Sequence, residues 1–447
     1  MTGTPREPDP MATVDLDVGE SADLTPPGGS GARIRLLDVT EHRDDVRGAI
    51  RRAELTVEVN GEVATLVAAN YRLPARVGGV QIDAPVTGGY GWESSHPNPW
   101  AIRKAARLRV WAPNAPWLPS EGFAYPLDQR WAACGTQMAN EPTYVDGGER
   151  PNTERVYYHS GLDFGAAEGM AEVRAVADGV VLGIEDDMRA VDGKAAFSPG
   201  PGRACRQDGR GWRWLYAHLQ SFRPDVRPGL FRTMPDGAMA ADDAYAFALQ
   251  AYQAERTPAV LAVASPHHLA WAGRPVLLDG SRSHSPAGRP LRCTWTFGDG
   301  NTAGGATVER TYARAGVYRE MLEARDDAGN SAVDFATVVV LDPDRPDELP
   351  PSIHAAYAPT CDIRPGQPVT FKVRRFTKEP GHETWDFGDG SEPVRVASDG
   401  NVDRHNPDGY AQVEHSFGRP GRHIVSATTR SPAGLEGVAR LAVDVTD

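Results

Sequence analysis

Cysteine is scarce in this chain. Only Cys134, Cys205, Cys293 and Cys361 occur in 447 residues, and no two form a C-x-x-C pair, which excludes a zinc ribbon. Cys134 and Cys205 fall in one predicted domain, where they could form a disulfide; the alternative is four free, mostly buried thiols, with Cys293 and Cys361 near successive C-terminal domains. An excess of positive charge is also missing. Lys and Arg number 47 against 60 Asp and Glu, a net charge of -13, so no general basic field is present to hold nucleic acid or an anionic membrane. No run reads as a membrane span, and insertion into a bilayer is not expected. No basic region followed by an apolar run opens the chain, so a secretory signal has been removed or is not used. The acidic, solvated composition suits a secreted, periplasmic or cell-surface protein. Residues 1–11, beginning Met1-Thr2-Gly3-Thr4-Pro5, read as a disordered tail.

What is present is turn chemistry. The 47 Gly and 37 Pro lie between many short Val-, Thr- and Tyr-rich runs, the pattern of a mainly β chain with little helix. The length allows three or four domains. Residues 12–120 hold strand-like runs at 32–37, 53–59 and 63–66, with Asn60-Gly61 between the last two as a hairpin signal. Arg107-Leu108-Arg109-Val110-Trp111 adds another alternating strand, and a small β-sandwich or barrel is expected. Gly88-Gly89-Tyr90-Gly91-Trp92, with Trp100 and Trp117, suggests either a sugar-stacking surface or ordinary core packing.

Chemistry concentrates at Tyr158-His159-Ser160-Gly161-Leu162-Asp163 and Tyr216-Ala217-His218-Leu219. His159 and Asp163 are four residues apart, which lets an imidazole nitrogen and a carboxylate oxygen converge on one divalent cation, with zinc the natural choice. Val173–Val181 reads as a strand broken at Asp178-Gly179. Trp212, Trp214 and Tyr216 alternate along another strand that carries His218 at its end, where it could face the same cleft. These residues resemble the lysostaphin-type zinc endopeptidases that cut peptidoglycan cross-bridges, over roughly residues 121–230. The family's first motif reads H-x-x-x-D and its middle motif Y-x-H-L. The resemblance implies that His159 and Asp163 bind zinc and that His218 stabilises or deprotonates the zinc-bound water. The family closes with H-L-H, which supplies the third ligand, and residues 219–266 contain neither His nor Cys. Ser265-Pro266-His267-His268-Leu269 faintly resembles that closing segment with its order changed, but 261–266 and 275–281 read more naturally as the opening strands of the next domain. Where the closing strand is expected, residues 238–255 instead read as a helix, started near Asp236 and ended before Pro258.

Beyond the helix the chain repeats. Trp295-Thr296-Phe297-Gly298-Asp299-Gly300 and Trp385-Asp386-Phe387-Gly388-Asp389-Gly390 are each followed by an aromatic turn segment, at Tyr312–Tyr318 and Phe417–His423. Trp and Phe alternate onto the core face of a strand and Gly-Asp-Gly turns at its end. The pattern resembles the polycystic kidney disease (PKD) domain, an immunoglobulin-like sandwich, and implies a structural motif. The second copy carries an insertion, Glu392–Gln412, readable as a calcium- or glycan-binding loop or as a solvated one.

The expected architecture is mainly β and multidomain: a tail at 1–11, an N-terminal sandwich-like domain at 12–120, a lysostaphin-like domain at 121–237, a helical linker at 238–258, and PKD-like sandwiches at 259–343 and 344–447. Three functions fit. One is a binding protein whose degenerate cleft holds peptidoglycan peptide or polysaccharide. Another is an active zinc peptidase with an unrecognised third ligand. The last is a metal-assisted polysaccharide lyase using His218 and Tyr216 as proton carriers.

Overall fold

The structure is a computed structural model and describes residues 11–68, 73–95, 100–117, 124–131, 133–144, 156–159, 161–167, 169–176, 179–185, 203–208, 213–216, 243–264, 266–377, 381–400 and 409–447. The fold is mainly β, as the composition requires.

The N-terminal domain is a sandwich of two four-stranded antiparallel sheets. One runs in the order Ala12–Leu16, Ala106–Trp111, Val80–Asp83, Ala75–Val77, and the other Ser21–Leu24, Ala32–Arg43, Ile50–Val59, Glu62–Ala68. Period-two burial places Ile34, Leu36, Leu55, Val57, Ile82 and Leu108 in one core. Asn60 (φ 50°) and Gly61 (φ 87°) form the expected two-residue turn, with both residues left-handed as a type I′ hairpin demands. The Asn60 side chain then ties two neighbouring segments, accepting from Arg33 N at 2.9 Å and donating to Gly78 O at 2.7 Å.

The central segment spreads its apolar residues over its neighbours' cores. Tyr158 lies in the N-terminal core, and its hydroxyl accepts a hydrogen bond from Ile50 N at 2.9 Å. Ala133, Cys134 and Ala167 join the core of the last sandwich. Tyr125, Leu127, Trp131 and Met138 pack with the helix Asp243–Arg256 through Leu249 and Tyr252. Three antiparallel strands, Gly179–Glu185, Arg203–Asp208 and Arg213–Tyr216, form a separate small sheet. Cys134 is a free thiol, and burial pushes its pKa up to about 11; the Cys205 side chain lies outside the described residues.

The helix Asp243–Arg256 sits within the predicted linker and ends at the expected place. After it come two immunoglobulin-like sandwiches. In the first, a five-stranded sheet (order His268–Trp271, Ser331–Leu341, Gly316–Asp326, Leu291–Thr296, Thr302–Gly304) faces the pair Pro275–Asp279 and Thr307–Thr311. Trp295, Phe297, Leu278 and Leu322 fill the space between. In the second, the strands Ile353–Ala358, Pro368–Arg375 and Ala411–Ser416 pack on a four-stranded sheet around Phe371, Trp385, Phe387 and Phe417. Arginines stitch the sandwiches together: Arg422 donates to Ser331 Oγ and O at 3.3 Å, and Arg440 donates to Arg319 O at 3.0 Å.

Candidate functional site

One irregular hairpin of the central segment carries the predicted pair. Pro142–Tyr144 pairs antiparallel with Val156–Tyr158, and Gln137–Met138 pairs with Leu162–Asp163. Between them, His159 N donates to Glu141 O and Asn140 N donates to His159 O, both at 2.8 Å. Residues opposite one another in such a ladder share a face. Tyr157 therefore stands with Thr143, His159 with Glu141, and Asp163 with Gln137. Gln137 Nε2 donates to Thr143 Oγ1 at 2.9 Å along that face, and Tyr157 is hydrogen-bonded to Thr143 as well.

His159 Nε2 lies 3.2 Å from Asp163 Oδ1, with the imidazole mostly buried and the carboxylate half-exposed. Burial opposes charging the ring. The Asp163 hydrogen bond and charge, with the Glu141 carboxylate behind it, outweigh that and raise the pKa of His159 above its ordinary value. A zinc ion would fit the same two atoms, because two ligands on a tetrahedral zinc with bonds of about 2.0–2.1 Å stand about 3.3 Å apart. Among the described residues no third His, Cys, Asp or Glu joins them in a metal-sized cluster. His218 lies outside the described residues. Tyr216 is described, and its hydroxyl accepts a hydrogen bond from Val176 N at 2.8 Å, which ties one strand end to the next segment.

Glu141 was not read from the sequence. Its carboxylate is buried and accepts from Met138 N at 3.2 Å and His267 N at 3.3 Å. Burial pushes its pKa up to about 7, although those N–H groups, His159 and Arg51 pull the other way. It lines a narrow cleft where the N-terminal domain, the hairpin and the first sandwich meet, together with Arg51, Arg52, Asn140 and Arg282. Arg52 pairs across domains with Asp279 at 2.8 Å, while Arg51 holds Asp44 of its own domain at 2.9 Å and donates to His267 O at 3.2 Å. The histidine pair of Ser265–Leu269 flanks this junction. It is the main-chain N–H of His267 that meets Glu141, and His268 opens the strand His268–Trp271 of the first sandwich, a few residues beyond the strand expected at 261–266, where Leu261 makes only an isolated bridge to His284. Both residues are half-buried, and the enclosed His267 Nδ1 and His268 Nε2 meet no hydrogen-bond partner among the described residues. Burial, with Arg319, Arg51 and Arg282 nearby, pushes both pKa values down to about 3.

Tyr157 was also missed. The signal was present, since period two along Val156-Tyr157-Tyr158-His159 puts Tyr157 on the face of His159 and Tyr158 on the other. The N-terminal aromatics divide in the structure. Tyr90 and Trp100 are core residues, Trp117 donates its Nε1 hydrogen to Gln81 Oε1 at 2.9 Å, and Trp92 alone of the expected group is exposed. In the insertion Glu392–Gln412, Asp399 is held by Arg374 at 2.8 and 2.7 Å, so that carboxylate serves the fold. Residues 401–408 of the insertion lie outside the described residues.

No helix among the described residues is long and apolar enough to cross a membrane. Among solved structures, the chain is similar to the fibronectin(III)-like modules of Clostridium thermocellum CbhA, at 16% identity over 42% of this chain and 94% of that one, with a TM-score of 0.17. It is similar to the Bacteroides ovatus mixed-linkage glucan utilization locus protein SGBP-B, solved with a mixed-linkage heptasaccharide, at 14% identity over 42% and 47% of the two chains and a TM-score of 0.18. The D0-D1 domain of intimin matches at 15% identity over 42% of this chain and 97% of that one, with a TM-score of 0.22. Similarity at this level carries no inference about function. The family profile described as PKD domain matches residues 257–340, the first sandwich with its Trp295–Gly300 motif, and a PKD domain therefore occupies that stretch of the chain.

Proposed function

We propose that the chain is an extracellular or cell-surface protein directed at polysaccharide or cell-wall peptide, and that its lysostaphin-like central segment binds its target without cleaving it. The observation that supports this reading is the helix Asp243–Arg256, which stands in the sequence where the resemblance expects the closing H-L-H strand and packs through Leu249 and Tyr252 against Tyr125 and Trp131. Replacement of a whole strand removes a ligand and a catalytic histidine together, which a point substitution elsewhere does not restore. The retained half-site keeps its own use. His159, Asp163, Tyr157, Thr143 and Gln137 present hydroxyl, amide, imidazole and carboxylate groups on one hairpin face beside an aromatic ring, a mixture suited to hydroxyl-rich or peptide ligands. The tandem sandwiches, stitched by arginines, both pack against the segment that carries that face.

An active peptidase is the second reading, favoured by the 3.2 Å separation of His159 Nε2 and Asp163 Oδ1. Zinc, when bound there, would supply a Lewis acid and an activated water. His159 and Asp163 would hold it, and the buried Glu141 would add only its charge nearby, because His159 Nδ1 meets no hydrogen-bond partner among the described residues. Lyase chemistry through Tyr216 and His218 has less support, because the Tyr216 hydroxyl already accepts the Val176 N–H. The test is co-sedimentation with purified peptidoglycan and a panel of insoluble polysaccharides in the presence of zinc, followed by assay of the supernatant. Retention with no new amino groups or reducing ends is expected. Release of fragments that disappears in His159→Ala would replace the binding reading with the peptidase.

A further inference from the structure

We propose that Trp92 is the stacking platform of a sugar subsite on the N-terminal domain, recognising the flat C–H face of a β-linked pyranosyl chain. The proposal rests on the polysaccharide reading above and adds a second contact point to it. Trp92 is 59% exposed, whereas Trp100, Trp111, Trp131, Trp295 and Trp385 are all buried. Exposure of one apolar side chain is ordinary by itself; what distinguishes Trp92 is a large ring face kept outside beside a polar rim.

The ring is also held in place. A Cβ built on Gly88 would meet Trp92 ring carbons at 2.4 to 2.7 Å, so the indole lies directly against the Gly88 backbone and turns its other face outward. Gly89 leaves room in the same way: a Cβ there would meet the Glu41 carboxylate at 2.4 Å and displace it. The two glycines thus admit an aromatic plate and a polar rim side by side. In that rim Glu41 accepts from Thr87 Oγ1 at 2.6 Å and Arg43 Nη2 at 3.2 Å, and Arg43 grips Glu93 through both terminal nitrogens at 2.5 Å. A rigid ring with fixed donors and acceptors at its edge matches a β-linked pyranose of gluco configuration: its hydroxyls and its anomeric bond are all equatorial, so both ring faces are lined by C–H and the chain stays flat, whereas an α-linkage sets the anomeric oxygen axial on one face. Mixed rim charge favours hydroxyls over an ionic ligand of one sign.

The platform also connects to the central hairpin. Tyr90, one turn of the same short helix, meets the Tyr158 ring edge-on at 4.9 Å. Ser95 N donates to Val156 O at 2.7 Å, and Val156 is three residues, about 10 Å of extended strand, from His159. A short oligosaccharide could therefore touch both.

The experiment is affinity electrophoresis of the full chain through gels containing soluble β-linked glucans or N-acetylglucosamine polymers, with α-linked glucan as control. Wild type should be retarded by a β-linked polymer, and Trp92→Ala should bind about tenfold or more weakly, the usual effect of removing a central aromatic anchor. Trp92→Phe should fall between them. Gly88→Ala, which keeps every aromatic atom but pushes the indole off its seat, should also weaken binding. Val63→Ser, at a residue equally exposed at 59%, should bind as wild type does. Undiminished retardation of a folded Trp92→Ala would overturn the subsite and leave the binding function standing. A wild-type chain that no polymer retards would overturn both.

Discussion

In the two C-terminal sandwiches the repeated motif turns inward, whereas the motif residues of the central hairpin stay at its rim. Trp295 and Trp385 are both fully buried, with Phe297 and Phe387 beside them, and each Gly-Asp-Gly forms the turn that follows. Even the caps correspond. Arg310 lies over the Phe297 ring at 4.4 Å and pairs with Asp299, while His415 stacks on Phe387 at 3.9 Å and pairs with Asp389. Two different side chains thus perform one structural task, covering an aromatic and holding the turn aspartate by a hydrogen bond. Nothing comparable encloses His159 and Asp163, whose pair forms across a hairpin edge. A motif that must be buried to exist is a motif of the fold; one held at the rim is free to meet a ligand.

That contrast can be broken most forcefully at the tryptophans. Trp385→Ala or Trp295→Ala should cost about 3–5 kcal/mol, read by urea denaturation, through lost packing and the cavity left behind. Replacement by Phe should cost far less, because neither Nε1 has a hydrogen-bond partner among the described residues to lose. Equal penalties for Ala and Phe would show that the indole N–H matters after all.

Acid should act next, at the junction behind the hairpin. His267 and His268 have pKa values of about 3 in the folded chain, well below their ordinary value, so they stabilise it only while neutral and the unfolded chain takes up their protons as pH falls below about 6.5. Glu141 acts in the opposite sense. Its folded pKa of about 7 exceeds the unfolded value, so its stabilising contribution is present below about 4.5 and is lost as pH rises through 7. Between about pH 6.5 and 4.5 the two histidines outweigh the one carboxyl by about one proton, so this junction alone takes about 1.4 kcal/mol per pH unit from stability as pH falls, and His354, which burial holds at about 4, adds to the loss in the same sense. Denaturation midpoints at pH 7, 6 and 5 measure this, and His267→Gln with His268→Gln should make the fall with acid markedly shallower.

Arg130→Ala comes third. Its guanidinium joins the central segment to the last sandwich through Asp444 and Ala442 O. Because Arg422 still holds Asp444 at 2.6 Å, the loss should be about 1–2 kcal/mol and not the larger cost of an orphaned charge. His159→Ala should be the mildest, below about 1 kcal/mol in stability for a pair exposed on one side, while abolishing whatever zinc uptake the chain has. A large loss of stability there would mean that the pair belongs to the fold.

The sequence disclosed most where chemistry is local. Asn60-Gly61 fixes a turn by backbone preference alone, and W-x-F-G-D-G fixes a strand, a core face and a turn within six residues. The helix over Asp243–Arg256 followed from its own composition and the proline beyond it. Long-range pairing was not legible. That Glu141 stands opposite His159 depends on how the segment Gln137–Tyr144 pairs with Val156–Asp163, and that Tyr158 serves the N-terminal core depends on the Ile50 N–H it meets. Nor could composition sort the aromatics. Tyr90 and Trp92 are two residues apart, and the tight packing of Trp92 on Gly88 sets which one remains outside.

The most direct measurement is zinc per chain, by plasma mass spectrometry, after purification without chelator and exchange into metal-free buffer. A two-ligand site should lose its metal, leaving far less than one zinc per chain, with polysaccharide or peptidoglycan binding intact. One zinc firmly retained, and lost in a still-folded His159→Ala or Asp163→Ala, would contradict the binding-only reading and establish a complete metal centre.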